Sequence, residues 1–242
     1  MSLPYFIGPV AGTAVGATVV VEGDEARHAV VRRIRVGEEV ALTDGAGTTA
    51  VGTVTGSTKS ALTVTVTAVE SAPAPRPHVT VVQAIPKGDR AELAVEVLTE
   101  IGVDRIVPWA ASRCVAVWRG ERAAKSLARW RSTAREASKQ SRRAWHPEVT
   151  ELAATDAVAS MLERADLAVV LHETGDTSIR GCEVPEDGYV VVVVGPEGGI
   201  SEEELTAFRG AHVVRMGEPV LRTSTAGVAA VAALLSRTRR WD

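Results

Sequence analysis

VVVVGPEGGISEEEL, residues 191–205, runs four valines through a Pro–Gly turn into the start of a helix. A β-branched run without polar alternation is a strand buried on both faces, the kind that parallel sheets bury under helices. Pro196 fixes φ, while Gly198 and Gly199 allow backbone conformations and close approaches that a Cβ would block. Ser201 and Glu204 have the spacing of a capping box, so the helix satisfies its own first N–H groups. With Glu202 and Glu203, its first turn carries three carboxylates, and these oppose a phosphate at the positive end of the helix dipole. Neither G-x-G-x-x-G nor G-x-x-x-x-G-K-[ST] occurs in the chain. A ligand of this loop is therefore neutral or cationic and is read mainly by backbone. The plain alternative is a strand–helix turn with no ligand.

The theme repeats downstream. RMGEPVLRTSTAGVAAVAALL (215–235) is a strand end, a Gly/Pro loop, and a helix capped by Thr223 or Ser224. Two such loops at the same end of adjacent parallel strands make a ligand crevice. The Ala/Gly-rich helix permits close approach by another helix, within the core or across a subunit interface. Between residues 78 and 217, strands are expected in HVTVVQAI, VDRIVPWA, ADLAVVL, GYVVVVVG and AHVVRMG. Helices are expected in between, one capped by Asp89, one long and basic over roughly 121–141, and one over SEEELTAFRG. This alternation predicts an α/β domain with a mostly parallel sheet covered on both faces.

The first 70 residues read differently. GATVVVEG, EEVALTDGAGTTAVGTVTGS and SALTVTVTAVE alternate β-branched residues with turn formers, as in a small barrel or sandwich. One helix interrupts them in GDEARHAVVRRIRVGEE, with Asp24 as its cap and Gly37 as its stop. SAPAPRPH (71–78), carrying Pro73, Pro75 and Pro77, marks a stiff connection and a domain boundary near residue 74.

No run reaches the roughly 20 apolar residues of a membrane span, and MSLPYFIGPV does not read as a signal peptide. Cys114 and Cys182 fit no disulfide framework, which makes a reducing cytoplasm the default. The net charge of −3 is unevenly spread. Residues 113–143 hold ten Lys and Arg against Glu121 and Glu136, a local balance of +8, so the remainder carries −11. Such a segment is either a polyanion-binding face or a solvated amphipathic helix. Trp109, Trp118, Trp130 and Trp145 around it serve either base stacking or helix packing. The five histidines show no spacing suited to zinc, so no metal site is expected.

Taken together, the two terminal motifs resemble those of the RsmE family, methyltransferases that act on N3 of a uridine in small-subunit (16S) ribosomal RNA with S-adenosylmethionine. The likeness extends along the chain through HAVVRRIRVG (28–37), DGAG (44–47), AIPKGDR (84–90), TEIGVDRIVPWAASRCV (99–115) and ASKQSRR (137–143). One departure is Ser224, where many members have Glu.

The resemblance implies a PUA-like β-barrel RNA-binding domain over residues 1–73 and a SPOUT methyltransferase domain with a trefoil knot over 74–242. It implies that the cofactor is held by Leu171, by Gly195, Pro196, Glu197, Gly198 and Gly199, and by Met216, Gly217, Val220, Leu221 and Thr223. Arg222 is the candidate for orienting the uracil. His172 is a candidate near the reacting centre or a structural strand-end residue. RNA is expected at Arg32, Arg33, Arg35, Lys87, Arg113, Gln140, Arg142 and Arg143. A homodimer is implied, with the RNA presented in the assembled small ribosomal subunit. Two other readings stand beside this one: a non-catalytic RNA-binding factor with a degenerate nucleotide fold, and a nicotinamide-dependent oxidoreductase, which the missing glycine fingerprint disfavours.

Overall fold

The computed structural model describes residues 3–88 and 90–241. The chain divides into two compact units. One holds the residues up to Ala74 together with Ser138–His146; the other holds Pro75–Ala137 and the chain from Pro147 onward.

The first unit contains strands β1 (Tyr5–Ile7), β2 (Thr18–Glu22), β3 (Glu39–Thr43), β4 (Thr48–Ser57) and β5 (Ala61–Ser71), with helix α1 (Gly23–Val31) after β2. The strand order is β1-β3-β4-β5-β2, and only the β1–β3 pair is parallel. Register shifts between Val51 and Gly52 and between Val54 and Gly56 curl the sheet. The expected barrel is thus a curled half-barrel, closed on one face by α1 over a core that includes Phe6, Val21, Ala29, Leu42 and Val64. Helix α1 departs from expectation at both ends. Glu22 is its cap residue and makes no side-chain cap bond, which leaves Asp24 inside the first turn. It stops at Val31, before Gly37, because Arg33 turns into the left-handed region with φ 57°.

Ser138–His146 belongs to this unit through specific bonds. The buried Lys139 ammonium lies 3.0 Å from Glu25 Oε1, Trp145 Nε1 donates to Ala72 O at 2.9 Å, and His146 N donates to Gly45 O at 2.9 Å.

The second unit is built on seven parallel strands. In chain order they are β6 (His78–Ala84), β7 (Arg105–Trp109), β8 (Glu148–Val149), β9 (Leu167–Leu171), β10 (Thr177–Ser178), β11 (Tyr189–Val194) and β12 (His212–Arg215). The spatial order is β10-β12-β9-β11-β6-β7-β8. Helices α2 (Arg90–Glu100), α3 (Glu121–Gln140, of which the part from Ser138 belongs to the first unit), α4 (Thr155–Glu163), α5 (Glu202–Ala207) and α6 (Thr223–Leu235) complete the set. The cap expected at Asp89 lies outside the described residues.

Strand periodicity explains the all-valine stretch. Val190, Val192 and Val194 enter a core with residues of α2, α3 and α6, while Val191 and Val193 enter a second core with residues of α4 and Phe208. Both faces of β11 are covered, so a polar residue has no place at any position between Val190 and Val194. Gly227 lets α6 lie close to α2: a Cβ there would meet Leu98 Cδ2 at 3.1 Å.

Candidate active site

Because the strands are parallel, their carboxyl ends meet at one edge of the sheet. Among the connections that leave that edge are those after β6, β9, β11 and β12. β9 stands between β11 and β12. The two Gly/Pro loops therefore do not follow neighbouring strands, as the sequence reading expected. They flank the end of β9, where Leu171 sits between them.

These connections surround a cavity of about 800 Å³. Its apolar wall includes Leu171, Met216, Val220 and Leu221, and Gly195, Pro196, Gly199 and Gly217 bring backbone to it. Glu197, Thr223, His172, Arg222 and Lys87 line it as well. Gly198 is the exception among the expected cofactor residues. It faces the turn after β7, and a Cβ on it would lie 2.9 Å from Arg113 O and 3.0 Å from Arg113 Cβ. Gly199 has φ +74°, a conformation that favours glycine. The sequence reading missed Arg90, Glu173, Arg215 and Glu218, which also line the cavity. Their closeness in sequence to the expected residues was the one available signal.

Local chemistry fixes the loop after β11. Glu204 N donates to Ser201 Oγ at 3.2 Å and Ser201 N donates to Glu204 Oε2 at 2.9 Å, the expected capping box. Glu204 is buried, whereas Glu202 and Glu203 remain exposed. The Glu203 carboxyl is held below the usual carboxylate range by its own backbone N–H and the Ser201 hydroxyl. The carboxylates of this first turn disfavour an anion docked directly on the helix end. Glu197 Oε1 accepts the Lys87 N–H at 3.1 Å and ties the β6 connection to the loop.

The second loop is pinned from below. The amide nitrogen of Gln83, a buried residue, donates to Ala84 O at 3.0 Å and to Thr223 O at 3.2 Å. Arg222 is the cap residue of α6, where Thr223 or Ser224 was expected, and its carbonyl accepts Thr225 N and Ala226 N at 2.9 Å. The helix starts one residue early: Arg222, with ψ 151°, is the last extended residue, and Thr223 is already helical. Ser224, 3% exposed, has a buried Oγ without a hydrogen-bond partner among the described residues.

Four cations line the cavity, Lys87, Arg90, Arg215 and Arg222, with three acids, Glu173, Glu197 and Glu218. That mixture, with an apolar wall and backbone edges, suits a ligand bearing both charge signs and a neutral heterocycle. Among the described residues no group of three or more His, Cys, Asp or Glu is arranged to hold a metal ion.

The residues expected to meet RNA fall in both units. Arg32, Arg33 and Arg35 are exposed in the first, where Arg33 and Arg35 share a shallow groove with Lys59. Gln140 and Arg142 are exposed and Arg143 is half-buried in the same unit. Lys87 and Arg113 are exposed in the second. Base stacking is excluded for Trp109 and Trp130, which are buried, 0% and 1% exposed. Trp118 packs edge-on against Trp130 at 5.1 Å, and Trp145 packs within the first unit.

The profile of an RNA methyltransferase domain family matches residues 72–235, and that of an RNA methyltransferase PUA domain matches residues 21–67. The chain is 45% identical over 234 residues to the ribosomal RNA small subunit methyltransferase E of Mycobacterium bovis, covering 94% of this chain and 89% of that protein. The Mycobacterium tuberculosis protein of the same name matches equally. The crystal structure of the Neisseria gonorrhoeae enzyme of that name, bound to S-adenosyl methionine, superposes with a TM-score of 0.88 at 29% identity, covering 97% of this chain and 98% of that one. A Legionella pneumophila methyltransferase in complex with S-adenosyl methionine gives 0.89 at 26% identity, covering 98% and 99%.

Proposed function

The chain belongs to the ribosomal RNA small subunit methyltransferase E family, and from that premise we propose that it methylates N3 of one uridine in 16S RNA. At the coarser level it is an S-adenosylmethionine-dependent methyltransferase of small-subunit ribosomal RNA. The observation that carries the finer reading is the cavity at the ends of β9, β11 and β12, whose wall suits a neutral heterocycle beside mixed charges.

When bound, the cofactor supplies an electrophilic methyl group. Leu171, Gly195, Gly199 and the segment Met216–Leu221 would hold it, with Glu197 near its cationic part. Uridine N3 is a weakly acidic imide, so it loses its proton before or as it attacks. Arg222, exposed on the cavity wall, then orients the uracil and stabilises its developing negative charge. Glu197 or water takes the proton, since the lone pair of His172 is engaged within its own loop. Holding the two reactants in line supplies much of the acceleration, about 7–11 kcal/mol in well-oriented systems.

The same proposal covers an RNA-binding role for residues 1–73, a catalytic domain over 74–242 with the SPOUT trefoil knot, action on the assembled small subunit, and a cytoplasmic location. The place of β11 between β9 and β6, both earlier in the chain, supports the knotted reading. Exposed Val115, Val117, Val220 and Leu221 support a homodimer. No described helix is long and apolar enough to cross a membrane.

The test is labelled methyl transfer to small subunits that lack the modification, followed by nucleoside analysis. 3-Methyluridine at one position is expected, and label on another atom or base rejects the N3 assignment. Co-expressing a chain dead in the cofactor loops with one dead in the basic segment tests sharing of sites between subunits. About a quarter of wild-type activity supports composite sites, and none means that each site lies within one chain.

A further inference from the structure

Glu204 does more than close its capping box. It is 4% exposed, and each carboxylate oxygen serves a different element. Oε2 accepts Ser201 N at 2.9 Å. Oε1 accepts Ser112 N from the turn after β7 at 2.7 Å and the Thr155 hydroxyl at the start of α4 at 3.4 Å. A buried carboxylate is costly unless donors surround it, so these contacts leave the turn a single favoured position. The next residue, Arg113, lies along the back of the Gly195–Ser201 loop, where Gly198 has no Cβ to obstruct it. Its guanidinium is exposed and makes one long contact, Nη1 to Gly198 O at 3.5 Å. The rest of its planar donor fork is exposed, and among the first-turn carboxylates Glu203 lies within its electrostatic reach. The guanidinium offsets that charge, and its fork suits a phosphate approaching from the side away from the helix.

We propose that Glu204 is a positioning residue for RNA: it fastens the Ser112–Arg113 turn to the cofactor loop, so that Arg113 meets a backbone phosphate in register with the methyl donor. The inference rests on the methyltransferase reading above. It makes one stretch, Gly195–Glu204, serve the cofactor with its front and the RNA through what is latched to its back.

Glu204→Gln separates the two tasks. Gln suits the third position of a capping box as well as Glu does, so its single oxygen still accepts Ser201 N. The second oxygen becomes an NH₂ group, and Ser112 N loses its acceptor. RNA affinity and its salt dependence are to be measured on small-subunit RNA for Glu204→Gln, Arg113→Ala and the double variant, with S-adenosylmethionine binding by calorimetry alongside. Each single variant is expected to lower RNA affinity about tenfold and the log–log salt slope by about one. The double variant should be no worse than Arg113→Ala, with cofactor affinity within about threefold throughout. Additive losses, or a wild-type slope in Glu204→Gln, overturn the proposal. Should Glu204→Gln fail to fold, Ser112→Pro removes the donor and leaves the carboxylate in place; it must reproduce the Arg113→Ala phenotype, and wild-type RNA binding there overturns the proposal equally. If the unaltered protein binds neither cofactor nor RNA, the methyltransferase reading falls, and this inference with it.

Discussion

The ring of His172 is turned onto Thr174, whose backbone N–H donates to Nδ1 at 3.2 Å and whose hydroxyl lies 2.8 Å from the same nitrogen. Nδ1 is then the acceptor, and a neutral ring carries its proton on Nε2. The lone pair that would abstract a proton is committed within the loop. His172→Ala should therefore keep kcat within about threefold and leave the shape of the pH–rate profile unchanged. A hundredfold loss with a missing ionisation would make His172 the base.

Arg222 combines exposure on the cavity wall with the cap position of α6. Its cap bonds use the carbonyl, so truncating the side chain leaves the helix start intact. Arg222→Ala should lower kcat about 10²-fold, in the range for removing one transition-state donor. Cofactor affinity by calorimetry should stay near wild type. An equal loss in cofactor binding would move Arg222 to the cofactor side of the site.

Two neighbouring glycines should respond differently to alanine. At Gly198 the added Cβ meets the Arg113 backbone, a contact that side-chain rotation cannot relieve. Gly198→Ala should lower stability by about 1–3 kcal/mol, the range for overpacking, and weaken cofactor binding by displacing the loop. At Gly199 the nearest atom is 4.0 Å away, at the tip of the Arg113 side chain, and only the φ of +74° resists. Gly199→Ala should cost about 1–2 kcal/mol. Denaturant melts and calorimetry read both effects; wild-type cofactor binding in both variants would detach the loop from the cofactor.

Arg142 is exposed and left-handed, with φ 54°. Glycine removes its charge and accepts that backbone conformation. Arg142→Gly should retain the wild-type melting temperature and flatten the salt dependence of RNA binding by about one log–log unit. An unchanged slope makes the end of α3 a solvated face.

The Ser224 hydroxyl is buried without a partner among the described residues. An unsatisfied buried polar group costs about 1–3 kcal/mol. Ser224→Ala should thus raise the melting temperature at undiminished kcat. A drop in activity would give the hydroxyl a role with bound ligand.

Local signals were legible in the sequence. Val191–Val194 specified a strand covered on both faces, and Ser201 with Glu204 specified the helix start, because each rests on neighbours a few residues apart. The caps of α1 and α6 were missed where two or three residues competed: Asp24 and Thr223 are good cap residues, yet the helix already includes each, α1 beginning at Gly23 and α6 at Thr223 itself. Strand order was not legible. Nothing in HVVR says that it pairs with β9 rather than β11, since that depends on chain laid down elsewhere. Lys139 counted as one of ten surface cations, yet it is buried against Glu25, 114 residues earlier. Such a partner leaves no periodic trace. β1, β8 and β10, of two or three residues, are too short to show a pattern.

The return of Ser138–His146 to the first unit sets an order of events on the ribosome. Chains fold from the N-terminus as they are made, but here the half-barrel emerges with Glu25 still lacking Lys139 and Ala72 O still lacking Trp145. Its last pieces arrive only after β6, α2 and β7 have been synthesised. Until then Glu25 has the Ile7 N–H on Oε2 but lacks the ammonium that neutralises it, so its burial is more costly than in the finished protein. The first unit to be translated is thus completed only once the second is well under way, and a nascent chain arrested near residue 130 should carry the half-barrel in an unfinished, protease-sensitive state.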